Sequence, residues 1–227
     1  MKTIVVCGYG PGISDAVARK FAKEDFAVAL VGRSADRLAA GVAALTAAGA
    51  TAKAFPTDLG DPEAVTAMIA KVREQLGPVT VLHYNATPTG AGDLLTATPA
   101  QVRAALDVGV TGLVAAVQAA LPDLQAQPES AVLVTGGGLA YFDAKLDGSA
   151  VAWNAMGLAL AKAAQHKLVG LLAEKLRKDG IYVGEVMVLS QVKGTGTRGN
   201  ANLDPAVVAT KFWELYALRN ERTVQLS

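Results

Sequence analysis

Short runs of apolar, β-branched residues alternate along this chain with longer segments in which apolar positions recur at helical spacing. Six runs predict strands: Thr3–Cys7, Ala27–Val31, Thr51–Pro56, Val79–Tyr84, Ala131–Thr135 and Tyr182–Leu189, with Thr223–Leu226 a candidate seventh. Helical periodicity covers residues 12–24, 34–48, 61–76, 98–121, 148–178 and 204–219. Repeated strand-then-helix units feed a parallel sheet, and right-handed crossovers place helices on both of its faces. The expected fold class is therefore α/β: a single Rossmann-type, doubly wound parallel sheet flanked by helices and spanning residues 1–227. In such a sheet a ligand sits beyond the carboxyl ends of the strands, where the strand order reverses.

Boundary residues support these elements. Ser34 is a side-chain cap, and Asp61-Pro62 and Thr98-Pro99 each place a cap before a proline that suits the first helical position. Gly49, Gly77 and Gly180 stand where helices must end before the next strand. Only Ser190–Leu203, with Gly194, Gly196 and Gly199, lacks an assigned element. A glycine-rich segment of that length fits either a substrate lid or a disordered loop.

Composition narrows the function. Of 227 residues 52% are apolar and 18% charged, enough for one buried core in one domain. A net charge of +1, with dispersed lysines and arginines, excludes a nucleic-acid binder. The single cysteine, Cys7, lies in an apolar run and allows no intramolecular disulfide, which fits a reducing cytoplasm. The N-terminal run is too short for a leader or a membrane span, and charged residues interrupt the Ala-rich stretch 150–177. No metal site and no membrane partner are expected.

The first strand leads into Gly8-Tyr9-Gly10-Pro11-Gly12-Ile13-Ser14 and then a helix. Gly8 supplies a backbone angle closed to other residues, and Gly10 and Gly12 clear the approach of a pyrophosphate to the helix N-terminus. At the end of the second strand, Val31-Gly32-Arg33-Ser34 offers no carboxylate for a ribose hydroxyl and a guanidinium suited to a 2′-phosphate. NADP(H) is therefore preferred over NAD(H), unless Arg33 merely solvates its turn.

With these residues in order, the chain resembles the short-chain dehydrogenase/reductase superfamily over nearly its whole length. The likeness rests on the glycine turn, Val31-Gly32-Arg33-Ser34 with Arg37-Leu38, Thr57-Asp58-Leu59, Asn85-Ala86, the helix containing Lys162-Ala163-Ala164, and Asp179-Gly180-Ile181-Tyr182-Val183. The resemblance implies that Asp58 and Leu59 contact the adenine, while Asn85 and Ala86 lie along the adenosine ribose and the edge of the nicotinamide half. Lys162 would bridge the nicotinamide ribose hydroxyls. Family chemistry needs a tyrosine four residues before that lysine, on the same helical face. Here the position holds Leu158, which carries no proton. The helper serine falls in Thr135-Gly136-Gly137-Gly138, and the asparagine of the fourth helix falls on Gly109. Tyr141-Phe142-Asp143-Ala144-Lys145 repeats the Tyr-x-x-x-Lys spacing in a segment expected to be irregular, so Tyr141 is a substitute proton donor entering from a loop or a chance match.

Catalytic candidates are thus Lys162 and Tyr141. Cofactor candidates are Gly8, Tyr9, Gly10, Gly12, Ile13, Arg33, Ser34, Asp58, Leu59, Asn85, Ala86 and Lys162. The expected activity is NADP(H)-dependent hydride transfer on a small carbonyl, imine or activated alkene. The alternatives are a catalytically inactive NADP(H)-binding sensor or scaffold and, more remotely, non-redox chemistry on the same fold. Residues 189–203 and 136–150 would shape the substrate pocket, and the resemblance implies a homodimer or homotetramer.

Overall fold

The computed structural model describes residues 1–195 and 201–227. Seven strands form one parallel sheet: β1 (Lys2–Cys7), β2 (Phe26–Gly32), β3 (Ala52–Pro56), β4 (Val79–Tyr84), β5 (Ala131–Gly137), β6 (Tyr182–Val188) and β7 (Thr223–Leu226). Their order is β3-β2-β1-β4-β5-β6-β7, so the chain winds outward from β1 to one side, then returns to β4 and winds to the other. All six predicted strands are present, and the candidate seventh pairs with β6.

Among the described residues eight α-helices connect them: α1 (Ile13–Ala22), α2 (Ala35–Ala47), α3 (Pro62–Leu76), α4 (Pro99–Leu106), α5 (Gly112–Ala126), α6 (Ala144–Ala152), α7 (Met156–Leu176) and α8 (Pro205–Leu218). Alternate strand residues feed two cores. Ile4, Val6, Val28, Leu30 and Leu133 pack against α1, α2 and α8, while Val5, Cys7, Ala29, Leu82 and Val134 pack against α3, α5 and α7. A strand buried on both faces reads as a continuous apolar run, which is why these strands were so legible.

Two expectations about helices are corrected. The segment 98–121 extends to Ala126 and changes pitch midway, where Asp107–Thr111 form a π-turn between α4 and α5. Tertiary partners draw off the carbonyls there: Val108 O accepts from the Tyr84 hydroxyl at 2.6 Å and Gly109 O from Gln165 Nε2 at 2.8 Å. This Pro99–Ala126 stretch is long and apolar enough to span a membrane by length and composition. Here its apolar face, including Leu113, Ala116, Ala120 and Leu124, lies within the core.

The second correction concerns 148–178, which is two helices. The chain breaks at Trp153–Ala155, with Asn154 in the left-handed region (φ 54°). The loop after β4 docks at this break: Met156 and Gly157 donate their N–H groups to Gly92 O and Ala91 O at 3.0 and 2.8 Å. A methyl group on Gly157 would stand 2.7 Å from the Ala91 side chain, so a glycine is needed for the contact. Smaller shifts occur at element ends, where β6 stops at Val188 and α1 begins at Ile13.

Across the α3–α5 layer, the nearly buried Asp123 carboxylate accepts from Arg73 Nε at 2.8 and 3.0 Å and from Val79 N–H at 3.0 Å. Asp123→Ala leaves the buried Val79 N–H without its acceptor and removes a charge-assisted bond. A loss of about 2–3 kcal/mol in unfolding free energy is expected, read by urea titration.

Candidate functional site

The strand order reverses between β1 and β4, and beyond their carboxyl ends lies an open crevice of about 920 Å³. Its central wall is the turn after β1. Gly8 and Tyr9 both donate to Val31 O, at 3.0 and 2.8 Å, tying the turn to β2, while Asn85 Nδ2 donates to Gly8 O at 3.3 Å. Gly8 has φ +83°, and a methyl group there would stand 2.6 Å from the Ala86 backbone. Both the angle and the space demand glycine. The turn is closed onto α1 by Ser14, whose hydroxyl accepts from Gly10 N at 2.9 Å and donates to Gly10 O at 3.0 Å.

Of the sequence-predicted cofactor residues, Gly8, Tyr9, Gly10, Arg33, Ser34, Asp58, Leu59, Asn85 and Ala86 all line this crevice. Tyr9 contributes its main chain, because its ring packs over Gly41 of α2 and its hydroxyl donates to Asp15 at 2.8 Å. Ser34 also caps α2, accepting from Arg37 N at 3.4 Å. Asp58 accepts from Gly60 N at 2.9 Å, which shapes the turn below the crevice.

Gly12 and Ile13 are outside the crevice lining, at the start of α1. A methyl group on Gly12 would stand 2.6 Å from Thr195 Cγ2, so the segment after β6 passes directly over the glycine turn. The two described ends of the unassigned loop meet there, with Lys193 N donating to Leu203 O at 2.9 Å and Leu203 N to Gln191 O at 3.2 Å. Of the 189–203 loop, residues 196–200, including Gly196 and Gly199, lie outside the described residues.

Several lining residues were not among the expected cofactor contacts. Arg37 reaches across from α2, its Nη1 standing 3.8 Å from where a Gly10 side chain would begin. Its signal was a second arginine one helical turn beyond Arg33. Thr57, Thr87, Thr89 and Asp107 also line the wall; the π-turn that brings in Asp107 leaves no local sequence mark.

Lys162 stands apart from the crevice lining and is buried at 8% exposure. Its ammonium donates to Thr135 O, near the end of β5, at 2.7 Å and to Gln165 Oε1 at 2.8 Å. Gln165 passes the chain of bonds to Gly109 O. Burial pulls the Lys162 ammonium down to about 8, with the Glu185 carboxylate opposing the shift. His83, fully buried on β4, is driven down to about 3 by burial and the charge of Lys162, so it is neutral. Its Nε2 lies 3.3 Å from Thr135 Oγ1. Gly109 has no room for a longer residue, since its first side-chain atom would stand 2.9 Å from Ala161 Cβ.

Tyr141 belongs to a different network. It precedes α6, whose cap Asp143 accepts from Lys145 N and Leu146 N at 3.0 Å, so Tyr141 and Lys145 share no helical face. Its hydroxyl accepts from Gln225 Nε2 at 2.9 Å, and its ring meets that of His166 edge-on, centroids 5.6 Å apart.

The family model for short chain dehydrogenase matches residues 2–204. A meso-2,3-butanediol dehydrogenase from Serratia marcescens is 31% identical over 220 residues, covering 96% of this chain and 80% of that enzyme. A 3beta-hydroxysteroid dehydrogenase from Mediterraneibacter gnavus is 39% identical over 90 residues, a local match of 40% of this chain to 33% of its relative's length. Among solved structures, a short chain dehydrogenase from Burkholderia cenocepacia J2315 in complex with NADP superposes with a TM-score of 0.87 at 26% identity, covering 100% of this chain and 96% of the other.

Gly8→Ala forces a left-handed angle on a residue with a side chain and drives it into the Ala86 backbone. The expected cost is about 2–3 kcal/mol in unfolding free energy, measured by urea titration.

Proposed function

The chain belongs to the short chain dehydrogenase family, and from that premise we propose an NADP(H)-dependent oxidoreductase that reduces a small carbonyl, imine or activated alkene with Lys162, not a tyrosine, handling the proton. One observation carries the cofactor choice. The crevice rim after β2 presents Arg33, Ser34 and Arg37, two guanidiniums and a hydroxyl, with no carboxylate at positions 32–34. A 2′-phosphate is recognised by this set, whereas the ribose hydroxyl of NAD calls for an acid.

The cradle fits a dinucleotide on its own geometry. The crevice is large enough, Gly8 admits close backbone approach, and Asp58 and Leu59 line the wall after β3, where they would hold the adenine. When bound, NADPH supplies two electrons and a hydrogen to the acceptor carbon. The protein's part is to hold the reactants and provide a proton to the atom that gains charge. Leu158, half-buried at the start of α7, contributes only apolar surface. Lys162 lies outside the crevice lining, buried against Thr135 O near the end of β5, and with its ammonium lowered toward neutrality it is the group to which we assign that proton. Activated alkenes and imines ask least of such a donor, which supports them over simple ketones.

Titration with NADPH and NADH, followed by nicotinamide fluorescence, tests the cofactor reading. Arg33→Ala and Arg37→Ala should each weaken NADPH about tenfold, equivalent to about 1.4 kcal/mol, and leave NADH unchanged. Failure of wild-type protein to bind either nucleotide sinks the reading. The acid form of Lys162 is the donor and its fraction falls as pH rises through about 8, so reduction should slow above that pH and alcohol oxidation should quicken. A reduction rate that stays flat from pH 7 to 10 across a ketone and enone panel contradicts the role given to Lys162.

A further inference from the structure

On the side of the sheet that faces α7, one carboxylate is entirely enclosed. Glu185 of β6 exposes no side-chain surface, a position carboxylates avoid unless a partner holds them. Its Oε2 lies 2.6 Å from Nδ1 of His166 on α7. Its Oε1 has no hydrogen-bond partner among the described residues. That free oxygen is turned toward β5, since a methyl group on Gly136 would stand 2.5 Å from it. The preceding residue, Thr135, holds the Lys162 ammonium through its carbonyl. A side chain at 136 would therefore occupy the space that Glu185 faces. At the opposite end His166, one-third exposed, opens on a surface hollow of about 230 Å³ shared with Lys167, Arg222 and Thr223.

We propose that Glu185, oriented by His166, is the positioning residue that keeps Lys162 protonated within the core, so that the ammonium is available as proton donor. The inference rests on the role given to Lys162 above. The two hydrogen-bond acceptors of the ammonium, Thr135 O and Gln165 Oε1, are neutral. Neutral acceptors offset only part of the cost of burying a charge, and a nearby carboxylate supplies an attraction that low dielectric strengthens. The surroundings are consistent from every packed element. His83 on β4 is neutral, and Tyr141 meets His166 only through its ring edge; burial raises the Glu185 carboxyl above its ordinary value, and His166 on α7, then Lys162 and Arg222 before β7, oppose that by favouring the ionised form. In the reaction one N–H bond of Lys162 breaks as the acceptor atom takes the proton, leaving a neutral amine until a solvent proton replaces it. Glu185 acts through its field and makes no new bond.

The test follows unfolding free energy against pH, from 6 to 11, for wild type, Lys162→Met, Glu185→Gln and His166→Gln. Lys162 has a lower value folded than unfolded, so between about 8 and 10.5 the unfolded chain binds the extra proton and stability rises with pH. The wild-type curve minus the Lys162→Met curve should show this rise beginning near pH 8. In Glu185→Gln, measured against the double variant Lys162→Met/Glu185→Gln, the rise should begin about one pH unit lower. His166→Gln should move it in the same direction by less, and because His166 is partly exposed it keeps the test alive if Glu185→Gln does not fold. The pH at which reduction slows should shift with the stability curve. An onset unchanged in both variants, or no rise attributable to Lys162 in wild type, overturns the proposal. Absence of nucleotide binding overturns the cofactor reading and leaves the stability curves unmoved, so the two failures are distinguishable.

Discussion

The close approach of β1 to β4 at their carboxyl ends is the constraint on which the rest depends. The two strands are sheet neighbours far apart in sequence, and the connections leaving them go to opposite faces. Helices must therefore part above them, and the crevice is what remains. Gly8 makes the approach sterically feasible, Asn85 ties it with a side-chain bond to the Gly8 carbonyl, and Val31 O anchors the turn from β2. Arg33, Arg37, Asp58 and Leu59 line the crevice beside that turn.

A second constraint is electrostatic. The core around the end of β5 holds Lys162, Glu185, Gln165 and His83, all buried. Such groups destabilise a core unless their bonding capacity is met, so they are retained where something other than stability is at stake. Here two glycines make the arrangement sterically admissible. Gly109 lets the π-turn carbonyl meet Gln165, and Gly136 leaves space before Glu185. Both glycines thus act as clearances within this polar core.

Much of the fold was legible in the residues. Ile4 to Cys7 and Val132 to Val134 are buried on both faces, and such strands announce themselves as unbroken apolar runs. Ser34, Asp61 and Thr98 cap the helices they were expected to cap, because capping is a local bond between residues two or three apart. The break at Trp153–Ala155 was missed, since no proline or glycine stands there and its cause is the distant loop at Ala91–Gly92. The π-turn was missed for the same reason: Tyr84 and Gln165, which draw its carbonyls away, lie far along the chain.

By itself, then, the sequence determined whatever short-range geometry decides: strand runs, helix caps, the glycine turn, and an arginine in place of an acid after β2. The tertiary structure decided which distant groups share a bond or a field. It brought Arg37 to the glycine turn, removed Tyr141 to the β7 edge, and enclosed Lys162 against the Thr135 carbonyl and Gln165. Backbone conformation responds to neighbours within one turn, whereas the energy of a buried charge depends on every group packed around it, and those groups come from β4, β5, β6 and α7 together.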